Sequence, residues 1–335
     1  MKRTLSLVLC LTMALMLLTL AVPALAAKEV TVAKIGNKGY TTLFDAVTAV
    51  RNGGTIKLVR NCEFIHNNLN SPVFFSGKKF TIDMNRKTMT LMTGWGGTFD
   101  NCNITFKNGT IKSEAGYGET IKFRKKSNVK FNNVNVKQIC IDVSDAKTKA
   151  TMTKVNYSGG FFYIVSDGGT LQINSGTYSS KGILFVSSNG NIIINGGSFS
   201  GQSDSYNMFQ LNRGDKVTIN KGAFNAGTTI LQLYDSGSVT IKGGTLSSKN
   251  DSVIEVYRST LKIAGGTVNG GTDDDAAVEV HSGKLVLKGG TVINHNGDAL
   301  SYSSDVTVVG NGTELISKEE EPEEPTEYSE YDEED

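Results

Sequence analysis

Residues 170–199 read TLQINSGTYSSKGILFVSSNGNIIINGGSF, one unit stated twice. Leu171, Ile173, Gly176 and Tyr178 recur 21 residues later as Ile192, Ile194, Gly197 and Phe199. Within each copy the apolar residues alternate, which is the period of a strand and not of a helix. The unit continues as Val217, Ile219, Gly222 and Phe224, then Val239, Ile241, Gly244 and Leu246. Leu261, Ile263, Gly266 and Val268 follow, then Leu285, Leu287, Gly290 and Val292. Tracked in both directions, the turn position gives twelve sites, from Asn61, Asn85, Gly109, Val134 and Val155 through to Asn311, spaced by 21 to 25 residues.

A second alternating stretch precedes each turn: Ile183 and Phe185, Phe209 and Leu211, Leu231 and Leu233, Ile254 and Val256, Val278 and Val280. Two or three short strands per unit are thus joined by glycine-containing turns. A solenoid of parallel strands stacked about 4.8 Å apart satisfies this, each coil burying its inner face on its neighbours. A sandwich gives no reason for a longer unit to repeat in register. Twelve coils predict a rod of roughly 55–60 Å. Asn174, Asn195 and Asn220 hold the same turn position in successive units, where an asparagine ladder is expected.

Composition agrees. Of 335 residues 37 are glycine and four proline, and Pro72 is the only proline between the leader and the acidic end. Nearly every backbone N–H is then free to serve a β-ladder, and collagen-like or proline-rich linker classes are excluded. A hydrophobic content of 39% excludes a disordered chain.

Met1 to Arg3, the apolar run Leu5–Leu20 and Ala24-Leu25-Ala26 read as a secretory signal peptide over residues 1–26, so the mature chain is expected to be extracellular. No second apolar run is long enough to span a membrane. Cys62, Cys102 and Cys140 are odd in number and indicate no disulfide scaffold. Residues 317–335 carry eleven Asp/Glu against one Lys, an acidic tail expected to be disordered, with solubility or shielding of the basic body as its role. Residues 27–316 carry 31 basic and 22 acidic groups, and the stretch Lys78–Lys154 alone has 15 against 6.

The open first coil needs a cover, since an unpaired edge invites aggregation. Val30, Val32 and Ile35 suggest a strand, and Thr42 to Asp45 a capping box for a helix over Leu43–Arg51. The chain is therefore divided into a cap (27–55), a β-helix (56–316) and the tail. The segment GYTTLFDAVTAVRNGGTIKLVRN, residues 39–61, feeding into Gly-Gly-Thr coils, resembles the cap and first rung of right-handed parallel β-helix proteins of bacterial surfaces, the pectate-lyase-like adhesive domains. That resemblance implies an all-β, right-handed β-helix on a secreted or surface protein and carries no reaction. Among the polysaccharide-cleaving enzymes of that fold, the polygalacturonase-like ones bear paired-Asp, His-Gly and Arg-x-Lys motifs. None of His66, His281 or His295 is followed by glycine.

Aligning Leu211, Leu233, Val256 and Val280 places Gln210, Gln232, Glu255 and Glu279 in one outward stripe and Asn212, Tyr234, Tyr257 and His281 in the next, flanked by Arg213 and Arg258. Tyr234, Tyr257, His281, Arg258 and Arg213 are the candidate glycan ligands, the rings offering faces to sugars. Glu255, Glu279, His281 and Arg258 are the candidate catalytic set. Asp251 and Asp275 are candidate oxygen ligands for Ca²⁺, and no other cofactor is indicated. Lys122, Arg124, Lys125, Lys126 and Lys130 form the densest basic run, with Lys78, Lys79, Arg86, Lys87 and Lys107 nearby. On an exported protein their partner is an extracellular polysaccharide or anionic cell-wall polymer, without specific nucleic-acid recognition. Trp95, in a glycine-rich loop, is read as a loop anchor. The expectation is a non-catalytic adhesive or glycan-binding protein, the alternative a polysaccharide lyase or glycoside hydrolase acting on acidic polysaccharide.

Overall fold

A computed structural model describes residues 30–64, 73–91, 97–114, 119–160, 163–202, 205–235, 237–270 and 275–317. The leader, His66, Pro72, Trp95 and the acidic segment from Lys318 onward lie outside the described residues. Among the described residues, no helix is long and apolar enough to cross a membrane.

The chain forms a right-handed parallel β-solenoid of about 11 turns. Each turn contributes to three faces. Face one runs from Gly54–Leu58 to Thr307–Val309, face two from Cys62–Phe64 to Glu314–Ile316, and face three from Val73–Ser76 to Leu300–Tyr302. Register is held by inward apolar columns: Leu171, Ile192, Val217, Val239, Leu261, Leu285 and Val308 are successive partners on face one. A one-residue slip would turn each column outward, so the buried alternation fixes the pairing.

Aromatic rings continue the columns inside. Phe185 stacks on Phe209 at 4.3 Å, Phe199 on Phe224 at 4.4 Å and Tyr178 on Phe199 at 4.9 Å. Each such pair adds about 0.5–1.5 kcal/mol beyond its burial.

The turn sites stack on the edge shared by faces one and two, with Gly109, Val134, Val155 and Gly176 in register. Gly176 has φ +134°, and a Cβ there would lie 1.9 Å from the Val155 carbonyl oxygen, so no side chain fits. The asparagine ladder is present. Asn220 Nδ2 donates to Asn195 Oδ1 (2.8 Å), Asn195 Nδ2 to Asn174 Oδ1 (2.9 Å) and Asn174 Nδ2 to Thr153 Oγ1 (3.0 Å).

Three turn sites shift. Pairing of Cys62 with Met89 sets Asn61 opposite Thr88, one residue past the column, so that Arg60 stands opposite Lys87. Pairing of Thr88 with Thr110 sets Lys87, not Asn85, opposite Gly109, because the second coil has two extra residues in its corner. Pairing of Thr291 with Glu314 sets Thr313, not Asn311, opposite Gly290. The twelfth coil holds two strands, Thr307–Val309 and Glu314–Ile316, rather than a full turn. Ile183 is not inward: Leu184, Phe185 and Ser187 are, because the strand and its alternation begin only at Phe185 and Ile183 lies in the corner before it; Ser187 reaches the buried carboxyl of Asp215 (2.7 Å).

At the N-terminal end, Ala33–Ile35 pairs antiparallel with both Lys38–Tyr40 and Gly54–Leu58. The helix spans Leu43–Ala49, shorter than expected because Val50 turns to extended backbone. Thr42 caps it: its Oγ1 accepts from Asp45 N (3.0 Å) and donates to Asp45 Oδ2 (2.6 Å). Leu43, Ala46 and Val47 are buried beneath it. Lys78 Nζ donates to the Val47 and Thr48 carbonyls at 3.0 and 2.7 Å, satisfying the helix C-terminus. Lys78 therefore belongs to the cap and leaves the basic run. No disulfide joins the cysteines of the described residues.

Candidate functional site

Face three carries the two stripes in the expected register: Gln210, Gln232, Glu255 and Glu279 are successive partners, and Tyr234 pairs with Tyr257. The rings form a ladder, Tyr234 to Tyr257 at 5.1 Å and 15°, Tyr257 to His281 at 4.4 Å and 7°. This geometry changes what the stripe offers. Both faces of Tyr257 are covered by its neighbours, so that ring offers its edge rather than a face.

The carboxylates are tied into the same ladder. Glu255 accepts from Thr229 Oγ1 (2.8 Å), Gln232 Nε2 (2.9 Å) and Tyr257 OH (3.3 Å). Glu279 accepts from Ser252 Oγ (2.9 Å) and lies 3.3 Å from His281 Nε2. Burial, with the charge of Glu255, pushes the Tyr257 hydroxyl up to about 12. Burial, then the charges of Glu255 and Asp275, raise the Asp251 carboxyl. Arg258 is taken by Asp235, Nε to Oδ1 at 2.7 Å, and Arg213 is exposed in the same corner column. Among the described residues no three His, Cys, Asp or Glu side chains converge to hold a metal ion, Asp251 and Asp275 included.

The basic run does not form one patch. Lys122 and Arg124 project from face three and are partly neutralised, Lys122 by Asp142 (3.7 Å), Arg124 and Lys125 by Asp100 (3.1 and 2.8 Å). Burial alone would raise the Asp100 carboxyl, but the hydrogen bonds and charges of Lys125 and Arg124 outweigh it and hold the group below the usual range. Lys126 lies in the corner that follows, and Lys130 on face one.

Face one gathers what the linear reading separated. Lys57, Lys79, Lys107, Lys130, Lys149, Lys216, Lys262 and Lys284 all sit at outward positions of its strands, between buried partners such as Val217 and Leu285. Lys242 extends the asparagine-ladder column one coil further, its N–H bonded to the Ile219 carbonyl (2.8 Å). Among the described residues Asp83 is the only carboxylate on the outward side of these strands, and it pairs with Lys107 at 3.4 Å. From Lys57 to Lys284 is ten coil steps, about 48 Å. Thr, Asn, Ser and Gln172 fill most of the positions between, with Ile193 and Val286 the apolar exceptions. The sequence signal is a Lys directly beside an inward apolar residue of the face-one strand, as in Lys216-Val217 and Leu261-Lys262-Ile263.

Enclosed space lies elsewhere. A cleft of about 580 Å³ beside the cap helix is lined by Thr42, Asp45, Asn61, Cys62, Glu63 and Thr90 among others. Burial and Glu63 push the Cys62 thiol up to about 11, so it is protonated and unreactive at neutral pH. A shallower trough of about 380 Å³ edges face two at Ser200, Asn225 and Ser247. No protein-family profile, curated protein or solved structure matches the chain.

Proposed function

We infer that the protein is a secreted, non-catalytic adhesive β-helix that binds anionic polysaccharide or cell-wall polymer along face one. The observation behind this is the row of eight outward lysines opposed, among the described residues of that face, by the single carboxylate of Asp83. Lysine ammoniums are compact charges on flexible stems, suited to following a polymer's charge density rather than one fixed geometry. Threonine and asparagine between them offer hydrogen bonds to sugar hydroxyls. Export rests on the leader, and the likeness to pectate-lyase-like adhesive domains on the cap segment.

The cleaving alternative has less behind it, since Glu255 and Glu279 each have both oxygens engaged within the ladder. Affinity chromatography on immobilised polygalacturonate tests the reading. Retention should fall steeply with salt, as charge screening shortens to about 8 Å at physiological ionic strength. Lys216→Glu, Lys262→Glu and Lys284→Glu together should abolish it, while Lys112→Glu and Lys137→Glu on face two should not. Equal loss from both sets would assign retention to net charge and refute a dedicated face.

A further inference from the structure

The acidic segment leaves the solenoid at the end of face two, beside the corner that leads into face three, and reaches face one only by passing around the last coil. The chain leaves the solenoid at Ile316, which pairs with Ile293 in the last coil, and Ser317 Oγ there accepts from Ala299 N (2.9 Å). The 18 residues from Lys318 to Asp335 carry eleven carboxylates against that one lysine. Extended, they reach roughly 60 Å. Lys284, Lys262 and Lys216 stand one, two and four coil steps from the exit coil, about 5, 10 and 19 Å along the axis, with Lys242 between the last two. None of these four lysines has an ion pair with another described residue. The nearer part of face three offers instead Glu255 and Glu279, which repel the segment.

We propose that residues 319–335 dock on the C-terminal half of face one of their own chain, against Lys216, Lys242, Lys262 and Lys284, and compete there with external polyanions. Charge complementarity selects the face, and the short tether supplies the concentration. An attached segment acts at an effective concentration in the millimolar range, so weak contacts suffice to cover the site. An extended polymer that engages all eight lysines displaces it. The proposal rests on face one being a polyanion surface, and two independent readouts separate the two ideas.

The first is zero-length carbodiimide cross-linking of the full chain at low salt, read by mass spectrometry on the monomeric fraction. Cross-links from carboxylates 319–335 to Lys216, Lys242, Lys262 or Lys284 are expected, and their absence there overturns the docking. Cross-links confined to dimers would place the segment on a second copy and equally refute it. The second compares the parent with a full-length variant carrying Glu319→Gln, Glu320→Gln, Glu321→Gln, Glu323→Gln and Glu324→Gln. The variant should bind polygalacturonate about tenfold more tightly at low salt, the gap closing as salt rises. Lys216→Ala, Lys262→Ala and Lys284→Ala should erase the gap. Cross-links without polymer binding by either protein would keep the docking and refute the adhesive reading. Equal polymer binding without cross-links would do the reverse.

Discussion

At Asp215 the fold places a carboxyl where the coils on either side have Gly190 and Gly237. The side chain is buried and accepts from Ser187 Oγ (2.7 Å), Gly190 N (2.7 Å) and Asn212 N (2.6 Å). Ser127 and Ser259 do the same in other coils, taking the N–H of Cys102 (3.0 Å) and Gly237 (3.2 Å). A small polar side chain thus satisfies the corner of the coil before it. Asp215→Ala should cost about 2–4 kcal/mol by stranding three donors, measurable by denaturant unfolding. Burial raises the Asp215 carboxyl above its ordinary 3.8, against the pull of those hydrogen bonds. The native state therefore keeps this proton to higher pH than the unfolded chain does. Stability from this group is present below 3.8 and declines as pH rises through the raised value. In Asp215→Asn that decline should vanish, and a parent-minus-variant stability difference that stays flat from acid to neutral pH would contradict this account.

The strand is the unit at which the sequence was most readable. Alternating Leu171/Ile173 and Leu211/Leu233/Val256/Val280 fixed inward columns, and once these were aligned the outward stripes of face three followed, Tyr234 beside Tyr257 and Glu255 beside Glu279. Corner geometry was less readable, because an inserted pair of residues near Asn85 or a shift at Asn311 changes no hydrophobic period. Ring orientation was hidden too: the stripe looks like a row of open faces until Tyr257 is seen stacked between Tyr234 and His281. Face one escaped because its lysines are scattered over eight coils and share a surface only through stacking. The asparagine ladder gives an element-level expectation. Asn195→Ala removes one hydrogen bond to each adjacent coil and should lower stability by about 1–2 kcal/mol. Asn191→Ala, at the start of the strand that leads to Asn195 and outside the ladder, should lie within about 0.5 kcal/mol of the parent. Equal effects would show the ladder to be ornamental.

The two ends of the rod differ. The first coil lies under a capped helix, while the last exposes Tyr302 (53%), Val308 (37%), Val309 (42%), Leu315 (46%) and Ile316 (41%). Because each coil touches mainly its neighbours, stability is close to a sum over adjacent pairs, and the terminal coil has one neighbour only. Hydrogen exchange should accordingly be fastest at Thr307–Val309 and Glu314–Ile316 and slowest in the middle coils. Fast exchange beginning at Gly54–Leu58 would show the helix to be no cap. This asymmetry has a mechanical side. Pulled from its C-terminal end, the solenoid would peel one coil at a time, each releasing roughly 70 Å of slack from about 22 residues while the rod shortens by about 4.8 Å. Under load the solenoid would then yield in small, repeated steps, lengthening coil by coil rather than failing all at once.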